Sequence, residues 1–494
     1  MTLLKLTRRT LLFYWRTNLG VLLAVVVSVA ILAGALVVGD SVENSLKMMV
    51  NARLGKTQLA LTSRDRFFTT ELANKLSNKL NVTAAPVLQL KGLITDTDGN
   101  KRANRIELLG VDKRFYGIAG AINPFPSGRN PGVILNEPLA EKISVKIGDE
   151  VILRIGKPSL MPREIPLTPG TDLSLGFRLT VTAIAGREQF GHFSLQSNQI
   201  SPLNVFVPLK WLQKQLNIDG QVNMLLVGSE EGSEVTVEAA NDTLQESWQL
   251  ADAGLDLRSL TAGDVLELRS SRVFIDSSIG EAAIGSDEKA VGVFTYFVNE
   301  LRAGEKTTPY SMVTAMSKSS GGDSIIPADM GNEEIIINEW LADDLNVKEG
   351  DVIEADYFAV SNRRKLEERT SQFRIRAIVP IEDATADTEL MPDFPGLAEA
   401  DNCRDWEPGI PIDLNKIRDK DENYWDRFRG TPKAFVTLEA GQKMWGNRYG
   451  DLTAVRYPLK ANTREKLVIK VLRRVSPASL GLYFQEVRSR GVRA

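Results

Sequence analysis

The chain contains one structural segment twice. "ILNEPLAEKISVKIGDEVIL" occupies residues 134–153, and "IINEWLADDLNVKEGDVIEA" occupies residues 336–355. In each copy a short apolar strand ends at an asparagine, Asn136 or Asn338, which is a favoured N-cap residue. A helix of about two turns, a turn and a second strand should follow. A repeat of this kind predicts that one supersecondary unit is used in two places.

The turn of each copy ends in Gly-Asp. Gly148 and Gly350 stand where a tight turn needs a positive φ, and Asp149 and Asp351 can accept hydrogen bonds from nearby backbone amides. We therefore interpret the repeated acidic residues as structural, not catalytic.

Three further pairs of blocks match in the same order, more weakly. They are "VLQLKGLITD" from Val87 with "VLELRSSRVFID" from Val265, "FRLTVTAIA" from Phe177 with "FRIRAIVPI" from Phe373, and "VFVPLKWLQK" from Val205 with "AFVTLEAGQK" from Ala434. Matched order predicts two homologous halves, residues 84–228 and 262–458. The second half is longer mainly between residues 382 and 430. That insertion includes Cys403 and the acidic "RDKDEN", and we interpret it as a surface excursion with solvated charge.

An apolar run precedes both halves. Residues 19–39 are apolar except for Ser28. As a helix, this run is long enough to cross a membrane. Basic residues precede the run and acidic residues follow it, so the N-terminus should be cytoplasmic and the body extracytoplasmic. A cleavable signal peptide is the alternative, because Ala33-Gly34-Ala35 resembles a cleavage site, although the apolar region of a signal usually has only about 7 to 15 residues.

These features predict an α+β fold class, with one N-terminal transmembrane helix and a large extracytoplasmic mixed α/β region built from two homologous halves. The expected segments are a basic interfacial helix (1–17), a transmembrane helix (18–40), a membrane-proximal helical connector (41–83), a first core repeat (84–250), a second core repeat with its insertion (251–460) and a return segment toward the membrane (461–494). At 494 residues the chain is long enough for several domains.

Patterns that would indicate enzyme chemistry are weak. His192 is the one histidine and Cys403 the one cysteine, so a multi-histidine zinc site or an intrachain disulfide cannot form. "ARLGKT" (52–57) lacks the earlier glycine of a phosphate loop, and "TDTDGN" (95–100) suits a hairpin turn better than a calcium loop. "SSGGDS" (319–324) reads as a loop. We predict no catalytic, cofactor-binding or metal-binding residues, no cofactor and no enzymatic activity, and the net charge of -3 gives no footprint for nucleic acid.

A family resemblance rests on the junction "LVVGDSVENSL", on the repeated segment and on the later "VFVPL" block. Together they resemble the permease subunits of the MacB/FtsX class of ABC transporters, and the repeated segment resembles that class's extracytoplasmic core domain. The resemblance implies an inner-membrane location, a separate ATPase subunit, and lipoproteins, peptides or small molecules as cargo. It also implies four spans, of which these residues supply one. We therefore expect the others from a longer chain or from a partner chain.

Two functions remain as hypotheses. The first is the membrane-anchored extracytoplasmic portion of such a permease, which transmits ATP-driven conformational change and contacts cargo or envelope partners. The second is a free-standing, membrane-anchored scaffold or binding protein of the cell envelope. An anchored hydrolase is a third and weaker idea, because His192 is the only candidate histidine base.

Overall fold

The computed structural model describes residues 3–63, 66–125, 132–156, 174–196, 201–228, 234–260, 264–318, 325–360, 366–459 and 464–488. Two helices open the chain, α1 (Leu3–Phe13) and α2 (Trp15–Leu54). The predicted loop at residues 319–324 lies outside the described residues.

The first half of the body alternates strands and short helices. Its strands are β1 (Thr57–Thr62), β2 (Phe68–Thr69), β3 (Thr83–Asp96), β4 (Arg102–Val111), β5 (Val133–Asn136), β6 (Glu150–Gly156), β7 (Ser174–Ala185), β8 (Asn204–Pro208), β9 (Gln221–Val222) and β10 (Met224–Gly228). Its helices are α3 (Thr70–Leu80), α4 (Lys113–Ala119), α5 (Glu137–Ile143), α6 (Leu209–Gln215) and α7 (Val237–Ser247).

The second half repeats this alternation. Its strands are β12 (Val265–Ser270), β13 (Val291–Ala303), β14 (Lys306–Met316), β15 (Glu334–Asn338), β16 (Val352–Val360), β17 (Leu366–Val379), β18 (Ala434–Thr437), β19 (Ala454–Pro458) and β20 (Phe484–Glu486), and they follow β11 (Leu255–Ser259), the last strand of the first half. Its helices are α8 (Ser277–Ile284), α9 (Glu339–Leu345), α10 (Asp419–Phe428), α11 (Leu438–Trp445) and α12 (Arg464–Arg474).

Two nine-stranded sheets carry the fold, and their topologies are the same. The first has the order β20-β1-β10-β3-β4-β8-β5-β7-β6, with β3 also paired to β6; the second has the order β11-β12-β19-β13-β14-β18-β15-β17-β16, with β13 also paired to β16. The additional pairing closes six strands of each sheet into a barrel. The predicted α+β fold with two homologous halves is confirmed.

The halves exchange their last strands. β20, at the end of the second half, lies at the edge of the first sheet beside β1, while β11, at the end of the first half, lies at the edge of the second sheet beside β12. Each sheet is therefore completed by the other half of the chain. One continuous core also joins them, since side chains of β1, α3 and α7 pack with side chains of α12 and β20.

One predicted block match is wrong. The Val87 block lies in β3, whose counterpart in the sheet order is β13, whereas the Val265 block lies in β12, whose counterpart is β1. Alternating apolar residues mark a half-buried strand without saying which strand it is, so two non-equivalent strands were aligned. The Phe177 and Val205 blocks are matched correctly, because β7 corresponds to β17 and β8 to β18. β1 and β2 lie inside the range 41–83 that was predicted as a helical connector.

The repeated segment folds as predicted in both copies. Asn136 Oδ1 accepts a hydrogen bond from the Leu139 amide at 3.3 Å, and Asn338 Oδ1 accepts one from the Leu341 amide at 2.9 Å. The turns that follow have glycine φ values of +98° at Gly148 and +92° at Gly350. They are closed by aspartates, whose Oδ2 atoms accept from the amides of Lys146 at 2.7 Å and Lys348 at 2.8 Å. The expected hairpin turn between β3 and β4 is also present.

The insertion in the second half is not a solvated excursion. Residues between 382 and 430 bury apolar side chains in the core of the second barrel, including Phe394, Leu397, Cys403, Trp406 and Trp425. Its acidic stretch begins α10, where the Arg418 guanidinium donates to both Asp344 and Asp421 at 2.7 Å. The sequence prediction gave weight to the charged residues, but the aromatic residues between them decide where the segment lies.

Candidate coupling junction

Helix α2 joins the apolar N-terminal segment to the folded body without a break. Its 40 residues correspond to a length of about 60 Å. The segment Trp15–Val42 is long and apolar enough to cross a membrane. An 18-residue stretch within it has a mean hydropathy of 3.1, and none of that stretch is buried against protein. The last turn is different, because Val50 and Leu54 are buried. The apolar part of α2 is therefore exposed, and its last turn is packed against the folded body.

The chain directly after α2 lies against the end of α4, at Ile118 and Ala119, and this contact is the seat of α2. Gly55 follows the helix with a φ of +54°, and a Cβ at this position would lie 3.0 Å from the Cα of Ala119 and 3.1 Å from the carbonyl oxygen of Ile118. The next residue, Lys56, donates its amide to the same Ile118 carbonyl at 3.0 Å. A side chain at residue 55 would force this contact apart, so glycine is required both for the backbone conformation and for the close approach.

The other end of the described chain returns to this place. The Arg488 guanidinium donates from Nε to the Thr57 carbonyl at 3.1 Å and from Nη2 to the Gly55 carbonyl at 2.5 Å. The Val487 amide donates to the Gln58 carbonyl at 3.1 Å, which extends the pairing of β20 with β1. Charge-assisted bonds of this type are stronger than neutral ones. The segment that enters the folded body after α2 and the segment that follows β20 are thus bonded side by side.

A cluster of aromatic side chains packs against α4 and Gly55 at this contact. Phe115 of α4 lies 4.9 Å from Phe190 and 5.1 Å from Phe193 between ring centroids. The Phe190 ring also comes within 3.3 Å of the Cβ position at Gly55. Packed aromatic rings bury a large apolar area, and interiors packed in this way transmit displacement instead of absorbing it. Movement of the α2 end would therefore be passed to the strands beneath the cluster.

His192 lies beside this cluster, between Phe190 and Phe193 in sequence. Its Nε2 atom is buried and has no hydrogen-bond partner among the described residues. Burial lowers the pKa of the imidazole, the nearby Arg187 lowers it further, and Glu137 opposes both effects. The hydroxyl of Ser194 bonds with the backbone of Gln196. The surroundings are those of a packed histidine.

Within the described residues, no group of three or more His, Cys, Asp or Glu side chains is placed to hold a metal ion. Cys403 is a buried free thiol, and burial, with Glu422 nearby, raises its pKa to about 12. A thiol of such high pKa is a poor nucleophile, because the thiolate is the reactive form.

One unusual residue, Lys433, was not predicted from the sequence. Its side chain is buried, and its ammonium lies 4.4 Å from the ring centre of Trp340 and 4.8 Å from that of Tyr424. Burial lowers the pKa of Lys433 to about 8, while Asp421 raises it. The ring faces offset part of the desolvation cost. Lys433 lines a cavity of about 20 Å³, which is space for about one water molecule.

The matched halves could have pointed to this lysine. Pairing of Val205 with Ala434, as predicted from the sequence, places Lys433 opposite Asn204. Asn204 is fully buried, and its amide donates to the carbonyls of Gly191 at 3.0 Å and Phe193 at 2.8 Å. The second half therefore carries a cation where the first half carries a neutral amide. Periodicity alone does not distinguish the two, because both positions are inward-facing.

The family model described as the MacB-like periplasmic core domain matches residues 19–249. This region, a little under half of the chain, is similar to the MacB-like periplasmic core domain. The MacB-like domain takes in most of α2, the seat at Gly55 and every strand of the first sheet except β20. The predicted resemblance to MacB-type ABC transporter permeases is confirmed over this region.

Solved structures similar to the chain include the periplasmic region of MacB from Actinobacillus actinomycetemcomitans, with 15% identity, 40% of this chain and 84% of that chain covered, and a TM-score of 0.26. Another is the extracellular domain of the noncanonic ABC-type transporter YknZ from Gram-positive bacteria, with 13% identity, 38% and 90% covered, and a TM-score of 0.24. No curated protein matches the chain.

Proposed function

We propose that this chain is the membrane-anchored extracytoplasmic portion of an FtsX/MacB-like ABC permease of the inner membrane. In this proposal α2 passes ATP-driven movement from a separate ATPase to the outer domain, which contacts cargo or envelope partners. The observation that carries the proposal is the unbroken helix from Trp15 to Leu54, whose last turn is buried in the MacB-like domain.

The physical argument concerns stiffness. A continuous helix has no hinge unless proline, a glycine pair or a bulge interrupts it, and α2 contains no proline. A tilt of the apolar segment should therefore displace Leu54 and Gly55. Because β1 follows directly and belongs to the core that both halves share, the displacement reaches the whole outer domain.

The same proposal fixes a topology. Residues 1–17 lie on the cytoplasmic face, residues 18–40 cross the membrane, and residues 41–83, 84–250 and 251–460 are extracytoplasmic. Residues 461–494 lead back toward the membrane, and the bonds of Arg488 to the Gly55 and Thr57 carbonyls support this direction. Partner spans would have to pack near this return, alongside α2.

Cysteine labelling tests the topology. In a Cys403→Ser background, single cysteines replace Lys5, on the cytoplasmic side in our proposal, and Ile122, whose side chain is 89% exposed in the outer domain. A membrane-impermeant maleimide added to spheroplasts should label Ile122→Cys at once and Lys5→Cys only after permeabilisation. Labelling in the reverse order would refute the proposed orientation.

Crosslinking tests the coupling. A photo-reactive amino acid at Leu6 or Leu11, which are 53% and 54% exposed on α1, should capture a subunit that carries a Walker A sequence in the native membrane. The same group at Ile122 is the matched control and should not capture it. An ATPase adduct at neither α1 position, with the topology upheld, would favour the second candidate function, a free-standing anchored scaffold of the envelope.

A further inference from the structure

The two exchanged strands, β20 and β11, are edge strands of their sheets. Each has backbone N–H and C=O groups that point away from its sheet, and the two strands differ in whether these groups have hydrogen-bond partners. On either side of β11, the Gly254 carbonyl accepts from the Ser271 amide at 2.8 Å and the Leu260 amide donates to the Val265 carbonyl at 3.0 Å. Alternation in an antiparallel pair then turns the N–H and C=O of Leu255 and Leu257 toward the open edge. The same alternation turns the backbone of Phe484 outward from β20, since Val487 bonds inward to Gln58.

The outward groups of β20 are clasped by a side chain. Asn241 of α7 accepts from the Phe484 amide at 2.8 Å and donates to the Phe484 carbonyl at 3.4 Å. The side-chain amide of Asn241 thus makes the two hydrogen bonds that a further strand would make with Phe484, and it covers the edge of the first sheet there.

The equivalent clasp is missing at β11. α7 and α12 correspond in the repeat: buried Ala240, Leu244 and Trp248 match buried Leu467, Val471 and Val475 at the same spacing. In this alignment Val468 stands where Asn241 stands. Val468 has no amide to offer, and no residue that the structure describes bonds to the outward N–H and C=O of Leu257.

A groove of about 740 Å³ runs along this open edge. Leu255 and Leu257 line it from the strand, and Val468, Ile469 and Leu472 line it from α12. Ile469 is 50% exposed.

Two polar side chains that line the groove also lack partners. Among the described residues, Ser247 Oγ and Trp248 Nε1 are buried without a hydrogen bond. Both atoms are closed off from solvent, so the polar groups that the groove presents to an occupant are those of the β11 backbone.

We propose that this groove binds an extended peptide segment of a partner protein, which adds to β11 as the outermost strand of the second sheet. Outward backbone groups require a backbone partner, and apolar walls favour a segment with apolar residues at alternate positions. The rim carries three cations and two carboxylates. Lys79 pairs with Glu246 at 3.2 Å and Arg464 with Asp256 at 3.8 Å, whereas Lys75 has, within the part of the chain that the structure describes, only the exposed Glu71 at 3.9 Å, so an acidic residue of the peptide is favoured beside Lys75. The inference is independent of the coupling to an ATPase.

The test uses the full chain in lipid nanodiscs. The probes are fluorescein-labelled peptides of about nine residues, enough for one strand, with alternating valine and threonine and an aspartate at the first, the last or neither position. Fluorescence anisotropy measures binding, and hydrogen exchange measures protection of the amides in β11. We expect binding of an aspartate-bearing peptide together with slower exchange at residues 255–259.

Two variants of one residue separate the proposal from non-specific binding. Val468→Asn copies the clasp of the first half and should weaken peptide binding about tenfold or more, because the two backbone bonds of Leu257 are then occupied. Val468→Thr has a similar shape without the amide and should bind as the native chain does. Equal binding by Val468→Asn, protection confined to other strands, or no binding by any of the peptides would each overturn the proposal.

Discussion

A buried carboxylate, Glu267, offers the sharpest test of how the insertion is held. The Glu267 side chain is fully buried in β12, and it accepts from Arg456 Nε at 2.7 Å, from Arg258 Nη2 at 3.3 Å and from Arg269. All three arginines also reach into the insertion: Arg456 pairs with Asp387 at 2.6 Å, Arg269 donates to the Met391 carbonyl at 3.2 Å, and Arg258 lies 3.6 Å from the Glu389 carboxylate. Glu267 therefore neutralises the cations that fasten the insertion to the second sheet.

The loss of stability expected for Glu267→Gln arises because the arginines no longer face a negative charge at residue 267. Breaking a buried ion pair by removing one charge costs about 3–5 kcal/mol, because the remaining charge is left uncompensated. Arg456 and Arg269 keep acceptors in the insertion, so we expect the lower end, about 3 kcal/mol. The matched control is Glu367→Gln, since Glu367 and its partner Arg369 are half-exposed at 3.4 Å and such pairs contribute about 0–1 kcal/mol.

Native-state hydrogen exchange is the suitable assay, because it reports the opening free energy of β12 without assuming that a chain of several sheets unfolds in one step. Proteolysis between residues 382 and 430 gives a second readout and should accelerate in Glu267→Gln. A loss below about 1 kcal/mol at residues 265–270 would refute the reasoning, since a pair of that strength would be no better than a surface pair.

Three further changes have defined outcomes. Asn338→Ala should lower the melting temperature of the full chain, with a loss of about 1–2 kcal/mol, because the cap on Leu341 is removed; an unchanged melting temperature would contradict this. Gly350→Ala should cost about 1–2 kcal/mol in denaturant unfolding, because alanine is strained at φ +92°, whereas Gly304→Ala, at a hairpin φ of +60°, provides a comparison at an open turn. Lys433→Met should stabilise the chain at pH 7. The native chain should gain stability as the pH rises from about 8 towards 10.5, where the unfolded state binds more protons, and the variant should lose this slope in pH-dependent unfolding.

Much of the local structure could be predicted from the sequence. Asn136, Asn338, Gly148 and Gly350 have roles that depend only on neighbouring residues, so capping and turn chemistry identified them. The overall duplication also followed, because the repeated segment is distinctive.

Long-range relations could not be predicted in the same way. The exchange of β11 and β20 depends on which strand completes which sheet, and a short alternating pattern such as that of Leu255–Ser259 carries no such information. The seat of α2 was missed for the same reason, since nothing local to Gly55 indicates that Ala119 will lie against it.

The exchange leads to a last prediction about residues 1–249, which end where the family match ends. Such a chain lacks β20, so β1 becomes an edge strand, and it lacks every second-half side chain of the shared core. Five of these side chains come from the segment that begins with α12 and ends with β20: Leu467, Val471, Leu480, Leu482 and Phe484. At about 1.5–3 kcal/mol for each buried side chain, the loss is on the order of 10 kcal/mol, which equals the whole stability of a typical domain. We expect residues 1–249 to aggregate or to be degraded in membranes. Co-expression of a second chain that begins at residue 250 should restore protease resistance, because it supplies α12 and β20. If residues 1–249 alone gave a protease-resistant monomer with native exchange rates in β1, each half would be independent and the shared core would not be needed for folding.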